Sequence, residues 1–172
     1  MDATSLRARQ APVKDRYKQD PAQARVTSHA EGRVGSEDIA CHVTGWRGTV
    51  EAGLHPAAGG DGSQACSADI LLRALVACTG VTLKSVATAM GVRLNDAVIR
   101  AEGDWDARGT LGMSKETPVG ITDIRLIIAI DSDADAATLD KLLTLTERFC
   151  VIYQTLSNPP RLSLERKNAG AT

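Results

Sequence analysis

Apolar and polar positions change their rhythm several times along this chain. Residues 1 to about 24, MDATSLRARQAPVKDRYKQDPAQA, mix Arg, Lys, Asp, Gln and Pro without apolar periodicity. That pattern predicts an arm with little core, mobile or docked on a partner subunit. From Arg25 three short runs follow, RVTSHAEGR, EDIACHVTG and GTVEAGL, separated by Gly-containing turn signals. They predict a small meander of strands. The loop AAGGDGSQACS leads to Ser67, the expected N-cap of a helix with Asp69 in its first turn, where a carboxylate suits the helix dipole. The run ADILLRALVACTGVTLKSVATAM is too long for one strand, contains no proline and stops at Gly91, so it predicts a long central helix.

The second half repeats the theme. AVIRAEGDWDARG and DIRLIIAID alternate as strands do, with Ile124, Leu126, Ile128 and Ile130 on one face. A second helix is expected from Asp135: Leu139, Leu142, Leu143, Thr146, Phe149, Cys150 and Tyr153 recur at helical spacing until Ser157 to Pro160 stop it. RLSLERK reads as a last strand. The order β-β-β-α-β-β-α-β describes an α+β fold without the βαβ alternation of a parallel sheet, as a single domain over residues 25–172.

Composition narrows the function classes. In 172 residues there are 20 basic and 21 acidic side chains, a net charge of −1, so no overall positive field collects phosphate backbones or anionic lipid. Neither nucleic acid nor membrane is an expected partner. No uninterrupted apolar run approaches bilayer thickness and the first residues lack the apolar stretch of a secretory signal, which makes a cytoplasmic location the default expectation. Aromatics are only 3% of the chain, leaving Leu, Ile, Val and Ala to build the core.

The four cysteines, Cys41, Cys66, Cys78 and Cys150, are few for a disulfide framework and show no CxxC or Cys/His spacing of a zinc site. Cys78 shares a helix face with Leu71, Ala74, Leu75, Val81 and Thr82, and Cys150 sits between Phe149 and Val151. By spacing alone each reads more readily as a small core hydrophobe. A thiol in mid-helix gains nothing from the helix dipole, so a reactive Cys78 needs an external cation or hydrogen-bond donors. Arg25, Arg33 and Arg47 are the candidate cations and Thr82 a candidate donor. GGDGS matches no phosphate-binding fingerprint, and His29, His42 and His55 read as structural.

Two segments carry a family resemblance. DILLRALVACTGVTLKSVA resembles the central cysteine helix of the osmotically inducible protein C family, OsmC, which includes the organic hydroperoxide resistance proteins. LLTLTERFCVIYQTL resembles that family's second cysteine segment, and the likeness runs from about Arg25 to Glu165. It implies the OsmC-like fold, two layers of sheet and helices in an intertwined homodimer. It also implies a thiol peroxidase reducing an organic hydroperoxide, with Cys78 peroxidatic and Cys150 resolving, reset by a dithiol or thioredoxin-like reductant and needing no metal or organic cofactor. The family's activating arginine maps onto Arg33 in AEGRVG, with Arg25 as competitor. The glutamate that pairs with that arginine would fall at Ala68, leaving Asp69 as the adjacent carboxylate, and Val151 stands where the family commonly has proline. Two other readings compete: a non-catalytic or thiol-buffering member of this fold that binds a small apolar or sulfur-containing ligand, and a hotdog-type thioesterase, against which the Cys150 helix argues.

Overall fold

Good helix formers and well-placed caps decide the first element. The computed structural model describes residues 1–36, 38–45 and 48–167, so Arg47 lies outside the described residues. Ala3–Gln19 form helix α1, whose Asp2 N-cap accepts from the Ser5 N–H at 2.8 Å, with Arg16 and Lys18 in the last turn. Ala, Leu, Arg, Lys and Gln make a helix by propensity even where no apolar face selects one. The absence of apolar rhythm therefore concealed a helix rather than signalling coil. None of its residues is buried, and it lies against α2, the long helix Ser67–Met90.

Strands β1 (Glu31–Val34), β2 (Ala40–Thr44) and β3 (Thr49–Gly53) form the expected antiparallel meander, each shorter than its apolar run. A two-residue strand, β4 (Ala65–Cys66), adds in parallel to β3 and runs straight into α2. With no residue to spare between them, Cys66 rather than Ser67 becomes the N-cap, and no side chain caps this end. Gly91 closes α2 in the left-handed region at φ 72°, its N–H reaching the Ala87 and Thr88 carbonyls. Gly32 in β1 is required for a different reason: a Cβ there would lie 2.8 Å from the Cys41 sulfur.

β5 (Asp96–Asp104) and β6 (Asp123–Asp131) pair antiparallel over their full length, placing Ile99 opposite Ile128 and Ala101 opposite Leu126 on the inner face. The DWDARG stretch leaves the strand because Asp106 caps the single turn α3 (Ala107–Thr110) through the Arg108 N–H at 2.9 Å. On the outer face Arg125 bridges Glu102 and Asp104 across the ribbon. After β6, helix α4 (Ala136–Phe149) starts on Asp135, which accepts from the Thr138 N–H at 2.7 Å. The second helix does not run through Cys150 as expected: that residue is extended (φ −76°, ψ 110°), and a separate helix α5 (Val151–Ser157) begins after it. RLSLERK forms no strand among the described residues.

The α+β order places α2 against β5, α4 and α5. Its buried residues Leu75, Thr79, Leu83 and Ala87 run down one line at four-residue spacing, and Leu142 of α4 meets Leu83 and Ala87 in the core. By length and composition α2 is long and apolar enough to cross a membrane, contrary to the expectation above, because its Thr, Ser and Ala residues dilute rather than break its hydropathy. Its opposite face is open, with Val81 74% exposed.

Candidate active site

The site forms where the two helical segments carrying cysteines meet. Cys78 lies on the flank of the buried line of α2 and is partly exposed, whereas Cys150, at the break between α4 and α5, is 1% exposed. Both are free thiols. Burial pushes the Cys78 thiol up, but donors to its sulfur outweigh that and hold it below the ordinary value: the Ile152 N–H, the Cys150 thiol, the Val151 N–H and the Thr82 hydroxyl. Thr79, also buried, lies 3.6 Å from the Cys150 sulfur. Either group can be the donor of that contact.

The break at Cys150 makes this possible. In an uninterrupted helix the N–H groups of Val151 and Ile152 would be spent on the carbonyls of Glu147 and Arg148. Here they are released at the start of α5 and turned to the sulfur. Helical spacing and motif point to Thr82 and both cysteines but not to these main-chain donors, which no side-chain pattern reveals. Thr79 did leave a signal, as a hydroxyl in the middle of an otherwise apolar line.

The other sequence candidates do not join the pair within one chain. Asp69 precedes Cys78 by nine residues, which on a helix is roughly 13.5 Å and about half a turn away. It lines instead a shallow groove with Leu72, Arg73, Val76 and Ala77 on the other side of α2. Arg33 lies within β1, its side chain 86% exposed and 3.4 Å from Glu31. Arg25 ends the short 3₁₀ turn Pro21–Ala24. The register through Ala52 and Gly53 puts the other two cysteines, Cys41 and Cys66, on opposite faces of the first sheet. His55 accepts from the Ala57 N–H through Nδ1 at 3.0 Å and meets Trp105 edge-on at 5.2 Å, a structural role.

Beside Cys150 opens a cavity of about 640 Å³. Leu71, Leu75, Ile124, Leu126, Leu143 and Leu156 give it an apolar wall, and Thr146, Tyr153 and Ser157 supply hydroxyls. Glu147 is its one charged lining residue among the described residues. No group of three metal-binding side chains occurs among the described residues.

The fold is shared with solved structures. An OsmC-like protein from Mycoplasma pneumoniae superposes with a TM-score of 0.65 at 16% identity, covering 78% of this chain and 89% of that one. An organic hydroperoxide resistance protein OsmC from Legionella pneumophila gives 0.61 at 16% identity, covering 77% and 90%. The organic hydroperoxide resistance protein OhrB of Bacillus subtilis gives 0.52 at 19% identity, covering 78% and 93%. Among curated proteins nothing matches the sequence. The family model for OsmC-like proteins matches residues 60–165, from the loop before the Cys78 helix to beyond the Cys150 segment, and on that match the chain belongs to the OsmC family.

Proposed function

We propose that this protein is a thiol-dependent peroxidase that reduces organic hydroperoxides through Cys78 and Cys150. The observation that carries the reading is the asymmetry of the pair: an accessible thiol below its ordinary value, hydrogen-bonded by a buried one. The Cys78 thiolate attacks the terminal peroxide oxygen, the O–O bond breaks, and the alkoxide leaves as an alcohol after taking a proton. Cys78 becomes a sulfenic acid. Cys150 then attacks that sulfur, an S–S bond forms, and hydroxide departs with the Cys150 proton as water. An external dithiol or thioredoxin-like protein returns two electrons by thiol–disulfide exchange.

The cavity beside Cys150 supports an alkyl or aryl tail as the recognised part of the substrate. Glu147 at its wall favours neutral hydroperoxides over those bearing a carboxylate. A homodimer belongs to the same reading. The chain exposes 13278 Å², whereas a compact monomer of 18.2 kDa exposes about 8,000 Å². The excess of roughly 5,000 Å² per chain, about 10,000 Å² for two copies, is more than the roughly 2,000–5,000 Å² total of a usual obligate interface and so leaves ample surface for one. In such a dimer Arg33, or Arg25 in its place, comes to Cys78 from the second copy.

Titrating the reduced protein with cumene hydroperoxide and mapping disulfides by mass spectrometry tests the chemistry. The expected result is stoichiometric Cys78–Cys150 linkage with release of the alcohol, both lost in Cys78→Ser. A Cys78 that remains a thiol under excess hydroperoxide overturns it. Ala68 at the place of the family's glutamate, with Asp69 turned about 100° around the helix, favours a ligand-binding, non-catalytic protein in that event. Binding of an apolar ligand without oxidation would then establish that second reading.

A further inference from the structure

We propose that Gln154 is a positioning residue for Cys78: its side-chain amide takes the Glu147 carbonyl orphaned at the break, leaving the Val151 N–H free to face the Cys78 sulfur. This deepens the peroxidase reading and rests on it for its catalytic meaning, though not for its geometry. Gln154 Nε2 donates to the Glu147 carbonyl at 2.9 Å, seven residues back and across the break. Its main-chain N–H donates to the Cys150 carbonyl, also at 2.9 Å. One residue thus ties the last turn of α4 to the first turn of α5. Asn158 supports the side chain from the far end, its Nδ2 lying 3.4 Å from Gln154 Oε1.

The need for such a tie follows from hydrogen-bond competition. A helix carbonyl without a partner seeks the N–H four residues on, and for Glu147 that donor is Val151. Val151, unlike a proline, owns an N–H and has no ring to clash with the preceding turn, so nothing covalent prevents the helix from straightening through Cys150. Straightening would return the Val151 N–H to the ladder and withdraw it from Cys78. By satisfying Glu147 first, the Gln154 amide removes that incentive. It touches neither sulfur and acts only through the main chain.

The test is the pH profile of Cys78 alkylation by iodoacetamide, followed at that peptide by mass spectrometry in the reduced full-length protein. Gln154→Ala removes the amide; Gln154→Glu keeps its shape but offers an acceptor where a donor is needed; Gln154→Lys keeps a donor of similar reach. The first two should shift the profile to higher pH and slow alkylation at neutral pH by about fivefold, the value of one hydrogen bond. Rates well above the thiol's titration should stay unchanged, and Gln154→Lys should track the parent. Unmoved profiles in Gln154→Ala and Gln154→Glu overturn the proposal, as does a Gln154→Lys profile that shifts with theirs. Because alkylation needs no peroxide, a shifted profile in a protein that reduces no hydroperoxide upholds the positioning role while the peroxidase reading falls. Variants that still reduce hydroperoxide and show unmoved profiles do the opposite: the peroxidase stands and the positioning role falls.

Discussion

At the scale of residues, the question is what sets one thiol of four apart. Cys78 is placed where burial alone would suppress ionisation, and it is brought below its ordinary value by neutral donors, with no cation contributing among the described residues of its own chain. Its charge is therefore stabilised by folded geometry and disappears with it. The consequence for stability has a definite sign. Between the native value and the ordinary thiol value of 9.0, the unfolded chain holds the Cys78 proton and the native protein does not, so stability rises with pH across that window. The gain is complete above the ordinary value and is lost as pH falls through the native one. Melting temperatures of the reduced protein measured against pH should show this rise and Cys78→Ser should flatten it; parallel curves would mean that the donors do not hold a thiolate.

At the scale of elements, the second helix shows how structure departs from pattern. Leu142 is fully buried between α4 and α2, and Leu142→Ala should cost about 2–5 kcal/mol in urea unfolding, with the midpoint falling and the slope unchanged. A loss below about 1 kcal/mol would show that α4 does not close the core. The helices and both long strands of the second sheet were legible because their apolar residues recur at the right period. The break at Cys150 was not: Thr146, Cys150 and Tyr153 keep helical phase across a single extended residue, and neither Pro nor Gly marks it. The N-terminal helix carries no periodic signal because its stability comes from composition and its Asp2 cap. RLSLERK alternates as a strand should, but a strand exists only beside a neighbour, and the described chain offers this one none. Within the site, the cysteines were ambiguous by spacing and were singled out by the motifs around them, while the donors to Cys78 belong mostly to the backbone.

At the scale of the whole molecule, three surfaces are left unfilled. A two-stranded ribbon is marginal by itself, the small-residue face of α2 beside Cys78 is open, and Leu162 and Leu164 are 89% and 101% exposed. A second copy would cover all three. Sedimentation equilibrium should therefore return twice 18.2 kDa, and Leu162→Asp with Leu164→Asp should weaken the association if the C-terminal segment supplies a strand to the partner. A monomer at micromolar concentration would remove this account of the exposed surface.

The extended residue between α4 and α5 also bears on how the protein would tolerate repeated oxidation. A resolving cysteine inside a continuous helix reaches another sulfur only by tearing several rungs of the ladder, and must rebuild them at every turnover. Cys150 is itself extended, with a ψ of 110°, its N–H held by the Thr146 carbonyl and its carbonyl by the Gln154 N–H. Rotation about that single bond would turn α5 relative to α4 and to the Cys150 side chain while the thirteen-atom rings on either side stay closed, with the Gln154–Glu147 bond as the link that must give. On the peroxidase reading, the movement of each redox cycle would then centre on that one residue, with the rest of the helical layer as a fixed frame.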